Sequence, residues 1–452
     1  MASEGAGALV VAALDEVAYL LNIRGGDVER TPVVLAYLLV EETAAVLFVD
    51  AAKLSDEVLT ALEAVNVAVR PYEDAFAAVE GLVSGSAVEG AKRVWLDSKR
   101  TNYALYQAVS EGGALVDKAS PVATMKARKQ PAELEGMRAA HRRDAAALAT
   151  ALARLEGRVR GGEAPVTEVD VDAEVTAQRA AQWGYLDNSF DTIAGYGPNG
   201  AVIHYRAEPA TAATLGTSSL FLLDSGAQYI DGTTDVTRTM HFGEPTDHER
   251  DCFTRVLKGH IALATAIFPE GTPGFVVDAF ARRPLWAAGL DYRHGTGHGV
   301  GAALAVHEGP QGIAQRYDNH TSLESGMIVS NEPGYYCDGE FGIRIENLLV
   351  VVEKETPNQF GGKKYLGFEP LTLVPIQRKL INERLLDPDE LQYLDAYHAR
   401  VRKEVEPILE GPGGDAARAW LLNSTRPLVG AAETAAAASA GKGVEDSGSP
   451  KV

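Results

Sequence analysis

Five short segments in the second half of the chain place acidic or histidine side chains in apolar or glycine-rich surroundings. The segments are FLLDSG (221–226), TTDVTRT (233–239), HGTGHGVG (294–301), NEPGY (331–335) and GIRIEN (342–347). An acid at the end of a leucine-rich strand, such as Asp224, is costly to bury unless it is paired or bound to a metal ion. A hairpin joining the first two segments would bring Asp224 and Asp235 side by side, although each aspartate alone could equally cap a turn.

The glycine-rich segment holds His294 and His298. Their spacing would put both on one face of a helix, but the alternating glycines make a helix improbable. We expect a loop whose backbone can approach a ligand closely. It is not a phosphate-binding loop, because no Gly-Lys-Ser/Thr follows. The simpler alternative is a flexible turn with incidental histidines.

Each of the last two segments places a glutamate beside or within a strand-like run. Glu332 follows the run MIVS, and Glu346 alternates with Arg344, so these two side chains would point to the same face of a strand. An adjacent arginine would hold a ligating carboxylate ionised and oriented. The alternative is an ordinary ion pair within the sheet.

Four carboxylates and one imidazole form the combined set, which is Asp224, Asp235, His298, Glu332 and Glu346. This donor set suits Mn²⁺ and also Zn²⁺ or Co²⁺. Four negative charges match two divalent cations, and without cations such a cluster would repel itself strongly. Two metal ions about 3.5–4 Å apart can share a water and lower its pKa. The residues therefore predict a dinuclear hydrolase.

The chain contains two regions that differ in their pattern of predicted helices and strands, and the five segments lie in the second. Residues 1–125 alternate helical and strand-like patterns, which predicts an α/β domain with a largely parallel sheet. The proline-bracketed segment SPVATMKARKQP (120–131) marks a boundary. Residues 126–429 read as helices followed by strands, twice over, which predicts an α+β domain. The Ala/Gly/Ser-rich residues 430–452 predict a disordered tail.

Helices of the second region are expected over 132–156, from a capping box at Thr167 to 182, and over 247–268 and 273–288. The strand-like stretches between and after them, 189–243 and 291–368, contain all five polar segments. The chemistry is therefore expected on the strands and turns.

Composition restricts the possible functions. The 452-residue chain is 46% hydrophobic, as in ordinary globular proteins, and its net charge of −20 disfavours nucleic-acid and membrane-surface binding. Two cysteines, Cys252 and Cys337, exclude a disulfide framework and favour a reducing compartment. With no signal peptide or long apolar stretch recognisable, we expect a soluble cytoplasmic protein.

The ordered set of motifs resembles the pita-bread metallopeptidases, which include methionine aminopeptidase, prolidase and aminopeptidase P. The resemblance covers residues 128–378, and the five ligand-type residues keep the family's order D, D, H, E, E. Further segments are similar to the cytosolic Xaa-Pro aminopeptidases of this family, namely SFDTIAGYGPNGAVIHY (189–205), VHEGP (306–310) and FEPLTLVPIQ (368–377). The resemblance implies a pita-bread (creatinase/aminopeptidase-like) catalytic domain preceded by a smaller α/β domain.

The resemblance also implies roles for individual residues. His204 and His307 match histidines placed around the scissile peptide and proline, and His294 matches one credited with substrate contact or proton shuttling. Arg344 would support the metal carboxylates, and Glu332 would be both ligand and proton carrier. The implied reaction is attack by a hydroxide bridging two metal ions, most commonly Mn²⁺, on the N-terminal Xaa-Pro bond. A homodimer is implied as well.

Two departures from the family pattern accompany the resemblance. The segment 13–29 resembles the start of the family's middle domain, so this chain begins where the second of three domains does. Cys337 stands where relatives commonly have an acid; near the metal ions it would make activity sensitive to oxidation.

Two alternative functions remain open at this point. A prolidase-type dipeptidase would need a group that binds the dipeptide's carboxylate. A catalytically inactive pita-bread binding module is disfavoured by the complete ligand set.

Overall fold

A computed structural model of the chain describes residues 1–84, 93–162, 164–411 and 413–428. The chain divides into two compact units, Met1–Lys129 and Gln130–Val452. The division falls within the proline-bracketed segment, part of which is a short helix rather than an open linker. The predicted tail, 430–452, lies outside the described residues.

The first unit is a six-stranded sheet with helices packed on both of its faces. Its strands are β1 Ala8–Val11, β2 Ala36–Glu41, β3 Ala45–Val49, β4 Val67–Arg70, β5 Val94–Leu96 and β6 Leu115–Asp117. Its helices are α1 Leu14–Leu21, α2 Asp56–Ala64, α3 Asp74–Ser84, α4 Tyr103–Glu111 and α5 Pro121–Ala127. Strand alternation puts Leu9 and Val11 into one apolar cluster and Ala8 and Val10 into another. Both faces of β1 are therefore buried.

The sheet of the first unit is mixed: parallel pairs predominate, as expected, but the sequence did not predict its antiparallel pairs. The strand order is β4-β3-β2-β1-β5-β6, and the pairs β1–β2 and β2–β3 are antiparallel while the other three are parallel. The residues between β2 and β3 are too few for the crossover that a parallel pair needs, so these strands form a hairpin.

The described residues of the second unit form six α-helices, four of which begin with a capping box. They are α6 Pro131–Gly161, α7 Glu168–Ala180, α8 Asp247–Ala264, α9 Gly274–Trp286, α10 Pro388–Val405 and α11 Gly414–Ser424. The capping box at Thr167 opens α7 as predicted, with the Thr167 side chain accepting from the Asp170 backbone N–H. Helix α6 runs beyond its predicted end until Gly162, whose φ of 66° closes it.

The strands of the second unit pair antiparallel throughout the described residues. They are β7 Tyr185–Asn188, β8 Ile193–Tyr196, β9 Leu220–Ser225, β10 Ala227–Tyr229, β11 Gly232–Thr233, β12 Val236–His241, β13 Phe268–Pro269, β14 Gly297–Gly299, β15 Glu308–Ile313, β16 Ile328–Asn331, β17 Gly334–Cys337, β18 Phe341–Arg344, β19 Asn347–Lys354 and β20 Tyr365–Pro370. The sheets have the orders β11-β10-β7, β12-β9-β8, β13-β20-β19-β16-β14-β15 and β17-β18. Helices combined with antiparallel sheets confirm the predicted α+β class.

The main apolar core of this unit lies between the helices and the sheet β12-β9-β8. It joins Leu148 and Leu152 of α6 and Phe253 and Val256 of α8 to Phe221 of β9, all of them buried. Apolar side chains of β9 and β12 pack into this core, which fixes the positions of the polar residues at the ends of these strands. Among the described residues, no helix combines the length and apolar character that crossing a bilayer requires.

Candidate metal centre

Strands β9 and β12 place the two aspartates. The strands pair directly, with Asp224 opposite Thr237, and Asp235 immediately precedes β12. They are not joined by a simple hairpin, because the chain between them forms β10 and β11. A Cβ on Gly226 would lie 2.1 Å from the carbonyl oxygen of Thr234, so only glycine allows this close approach. The approach keeps the two aspartates adjacent.

The third acid lies where the chain passes from one sheet to another. Strand β18 ends at Arg344 and β19 begins at Asn347, so Glu346 lies between two sheets rather than along one strand. The Thr237 hydroxyl donates to Glu346 Oε2 at 2.8 Å and accepts from Arg344 Nε at 3.2 Å. The Thr239 hydroxyl donates to the Arg344 carbonyl at 2.9 Å and accepts from its N–H at 3.0 Å. Strand β12 thus holds the segment through side chains.

The histidine and the fourth acid come from neighbouring strands. His298 lies in the short strand β14, not in the expected loop, and Glu332 directly follows β16. A Cβ on Gly297 would lie 1.9 Å from the Ser330 carbonyl oxygen, which explains the glycine beside the histidine. The Ser330 hydroxyl accepts from the His298 backbone N–H at 2.9 Å and donates to Glu332 Oε1 at 3.0 Å. One hydroxyl therefore ties both groups together.

These elements bring the five predicted residues to one cavity of about 330 Å³. His298 Nε2 lies 3.5 Å from Asp235 Oδ2 and 3.5 Å from Glu332 Oε1. One ligand-type atom from each of Asp235, His298 and Glu346 lies within 4.8 Å of the others. Arg344 Nη2 donates to Asp224 Oδ2 at 2.6 Å, whereas the other oxygen, Asp224 Oδ1, is buried without a hydrogen-bond partner in the described structure.

Charge repulsion is strong among these carboxyl groups. Burial, followed by the charges of Asp224 and Glu332, raises the pKa of Asp235 well above its ordinary value. Burial and the neighbouring Asp235 raise the pKa of Glu346 well above its ordinary value, and burial also raises the pKa of Glu332. Ionised carboxylates here therefore need a compensating cation.

The histidine tautomer favours metal binding. His298 Nδ1 lies 2.9 Å from the Gly299 carbonyl oxygen, to which it can only donate, so Nδ1 carries the proton. The lone pair of Nε2 then faces Asp235 and Glu332, which is the arrangement that metal-binding histidines adopt. Together with the unpaired Asp224 oxygen, this donor set fits divalent metal ions.

A second polar chain runs along one wall of the cavity. Arg344 Nη1 donates to the Tyr336 hydroxyl at 2.7 Å, and that hydroxyl donates to His294 Nε2 at 2.8 Å. His294 Nδ1 donates to the Gly295 carbonyl at 2.8 Å, so both ring nitrogens are engaged. Burial and the Arg344 charge lower the pKa of His294 to about 3, so the ring is neutral.

The other two predicted histidines also line the cavity. The rings of His307 and His298 meet edge to face, with centroids 4.3 Å apart. Burial lowers the pKa of His307 to about 4, so this ring is neutral near pH 7. A neutral imidazole retains one N–H donor. His204 enters the same cavity from the loop after β8.

Sequence reasoning missed three hydroxyl residues of this site, Thr237, Ser330 and Tyr336. Thr237 and Ser330 each lie two residues from a ligand-type acid, on the same face of an extended chain. That spacing is the signal that could have identified them. Tyr336 directly follows the segment NEPGY (331–335), whose glutamate was the only residue given a role.

The two cysteines, Cys252 and Cys337, lie outside the metal-ligating set. Cys252 is buried, and burial raises its thiol pKa to about 12. Burial and the nearby Glu340 also raise the pKa of Cys337. Both are thiols at neutral pH and correspondingly unreactive. Among the described residues, Cys337 is not one of those that line the cavity.

Models of three protein-family segments match consecutive parts of the chain. Residues 1–133 match the creatinase/prolidase N-terminal domain, residues 135–353 match metallopeptidase family M24, and residues 364–428 match the C-terminal region of peptidase M24.

Similar proteins span most of this chain. Aminopeptidase P2 of Arabidopsis thaliana is 50% identical, over 94% of this chain and 62% of its own length. A probable Xaa-Pro aminopeptidase P of Sclerotinia sclerotiorum is 47% identical, over 93% of this chain and 70% of its own length. The chain thus spans 62% to 66% of three of its curated relatives.

Solved structures show the same fold. The X-prolyl aminopeptidase of Caenorhabditis elegans, described as a cytosolic enzyme with a di-nuclear active site, is 38% identical with a TM-score of 0.89, and the match covers 94% of this chain and 69% of that one. A Bacillus anthracis Xaa-Pro dipeptidase is similar in fold, with 24% identity and a TM-score of 0.64 over 83% of this chain and 95% of its own.

Proposed function

The chain belongs to metallopeptidase family M24, and we propose that it is an aminopeptidase that removes the N-terminal residue from peptides with proline in second position. The observation that carries the proposal is the convergence of five donor side chains on one cavity in a relative of Xaa-Pro aminopeptidases. We propose that two divalent metal ions are held by Asp224, Asp235, His298, Glu332 and Glu346. When bound, such ions supply Lewis-acid polarisation of the scissile carbonyl and a nucleophilic water of lowered pKa.

The acids and Arg344 provide orientation and proton transfer. Arg344 holds Asp224 through Nη2, which leaves Oδ1 of that carboxylate for ligation. Ser330 holds one oxygen of Glu332, while Glu332 Oε2 lies 3.9 Å from His294 Nδ1. Burial raises the pKa of Glu332, so this carboxyl can accept a proton at Oε2 and return it to the departing proline nitrogen.

The histidines and the apolar wall would select the substrate. The neutral His307 ring, or the His204 side chain, can donate an N–H to the oxygen on which negative charge develops. Phe190, Ile193 and Ile203 line the cavity and offer apolar surface to a pyrrolidine ring, whose nitrogen carries no amide hydrogen. The acidic interior would attract the free α-ammonium group of the substrate.

Four finer features belong to this proposal. Manganese is the proposed metal, because four carboxylates and one imidazole suit it. A cytoplasmic location agrees with the description of the C. elegans enzyme as cytosolic. A homodimer is supported by the exposed apolar side chains Val276, Phe280 and Trp286 of α9. The substrate proposed is a peptide, since the net charge of −20 opposes nucleic-acid binding.

The deciding assay compares Xaa-Pro-Pro with the dipeptide Xaa-Pro, with and without added Mn²⁺. Release of the first residue from the longer peptide, dependent on metal, is the expected result. Cleavage of the dipeptide alone would identify a prolidase instead. Elemental analysis after metal exchange addresses the inactive binding module, because less than one metal ion per chain would favour that function.

A further inference from the structure

The cavity that holds the five ligand-type residues also carries an exposed ion pair that the proposed reaction does not use. Arg206 Nη1 lies 3.2 Å from Asp191 Oδ2, and the two side chains are 71% and 45% exposed. Both residues line the cavity that also holds the five ligand-type residues. A pair this exposed contributes little to stability, so its partners can exchange at small cost.

Of the two arginines among the described residues that line the cavity, Arg206 is the exposed one. Arg206 and Arg344 both line the cavity. Arg344, however, is 2% exposed and donates to Asp224, Thr237 and Tyr336. The Arg206 guanidinium instead projects into solvent and offers a planar fork that suits a carboxylate.

The position of Arg206 along the chain relates it to a definite part of the substrate. It follows His204 by two residues in the same loop. An extended chain advances by at most about 3.5 Å per residue, so two residues of the loop and two residues of a bound extended peptide each span up to about 7 Å. If His204 lies beside the bond that precedes proline, as proposed above, and the peptide runs in the same direction as the loop, Arg206 reaches the residue that follows proline.

We infer that Arg206 is a specificity-determining residue that binds a carboxylate carried by the residue after proline, and that Asp191 competes with this carboxylate. The inference rests on the proposed function. The carboxylate can be the C-terminus of a tripeptide or an acidic side chain in that position. Asp191 weakens binding in two ways, because it occupies the guanidinium and repels a second negative charge.

The experiment measures kcat/KM for Ala-Pro-Ala, Ala-Pro-Ala-NH₂ and Ala-Pro-Glu-NH₂, at low salt and with Mn²⁺. The readout is the ratio of each carboxylate peptide to the neutral amide within one protein. We expect ratios above one, carried by KM rather than kcat, since this contact lies away from the reacting atoms. Raising the ionic strength should reduce the ratios. The two carboxylate peptides distinguish the C-terminus from the side chain as the source.

Two variants with opposite expected effects make the test sharp. R206A should lower the preference by up to about fivefold, and D191N should raise it, as expected for one exposed charge pair worth about 0.2–1 kcal/mol. R316A is the matched control, because Arg316 is exposed and is not among the described residues that line the cavity.

An unchanged ratio in R206A, an equal fall in R316A, or a ratio in D191N at or below wild type would overturn the inference. Failure of the wild-type protein to cleave any of the three peptides contradicts the proposed function instead.

Discussion

Replacing Thr237 with valine tests whether a buried hydroxyl prepares the metal centre. Thr237 is fully buried, and its hydroxyl joins Glu346 Oε2 to Arg344 Nε. Valine has nearly the same shape, so no cavity forms, but Glu346 loses a donor and Arg344 loses one of its acceptors. Arg344 keeps Asp224 and Tyr336, which limits the damage to the Glu346 side.

The size of the effect follows from the lost hydrogen bonds. A hydrogen bond to a charged group is worth about 1.5–3 kcal/mol. Loss of a group that orients a metal ligand typically weakens metal binding by about 10–100-fold, which is about 1.4–2.7 kcal/mol. The two estimates agree, so we expect T237V to bind Mn²⁺ one to two orders of magnitude more weakly.

The assay is calorimetric titration of EDTA-treated protein with Mn²⁺, combined with urea unfolding of the metal-free form. T237S retains the hydroxyl and should bind Mn²⁺ nearly as tightly as wild type. T254V is the control for a buried threonine elsewhere, since the Thr254 hydroxyl bonds the Arg250 carbonyl and the Asn382 N–H, away from the site. It should lower stability without changing metal affinity. Wild-type affinity in T237V, or equal losses in T237V and T237S, would refute the reasoning.

Three further predictions concern the acids, a histidine and pH. D235N or E346Q should lower peptidase activity by orders of magnitude while the metal-free fold stays intact, and near-normal activity would remove that residue from the ligand set. H204A should reduce turnover of proline peptides, and unchanged kinetics would exclude His204 from the site. Because the folded-state pKa of Glu346 is raised above the ordinary value of 4.5, its contribution to metal-free stability is present below that pH and is lost as the pH rises through the raised value. The stability gap between wild type and E346Q should therefore widen with pH in EDTA and shrink with Mn²⁺; a gap independent of pH would contradict this.

Local sequence carried much of the secondary structure. The capping box at Thr167 and the glycine at 162 are local signals that involve only a few residues. The helix that begins after Thr167 and the helix that ends at Gly162 are both present. The mixed first sheet escaped prediction because strand direction depends on connection length and on which neighbours pair, not on local pattern. Strand β14 was missed because its glycines weaken every local strand signal. They are tolerated there because β16 approaches so closely.

The ligand-type residues could be named from the sequence because burying an acid in an apolar strand is unfavourable. An acid at such a position therefore indicates a partner, such as a metal ion. Their partners were invisible to that reasoning. Thr237 meets Glu346 across 109 positions of sequence, and Ser330 meets His298 across 32. Serine and threonine occur in many environments, so their presence in the sequence does not indicate which of them belong to the site. Packing alone determines which hydroxyl reaches which acid, whether a histidine nitrogen is free, and which arginine stays open to solvent.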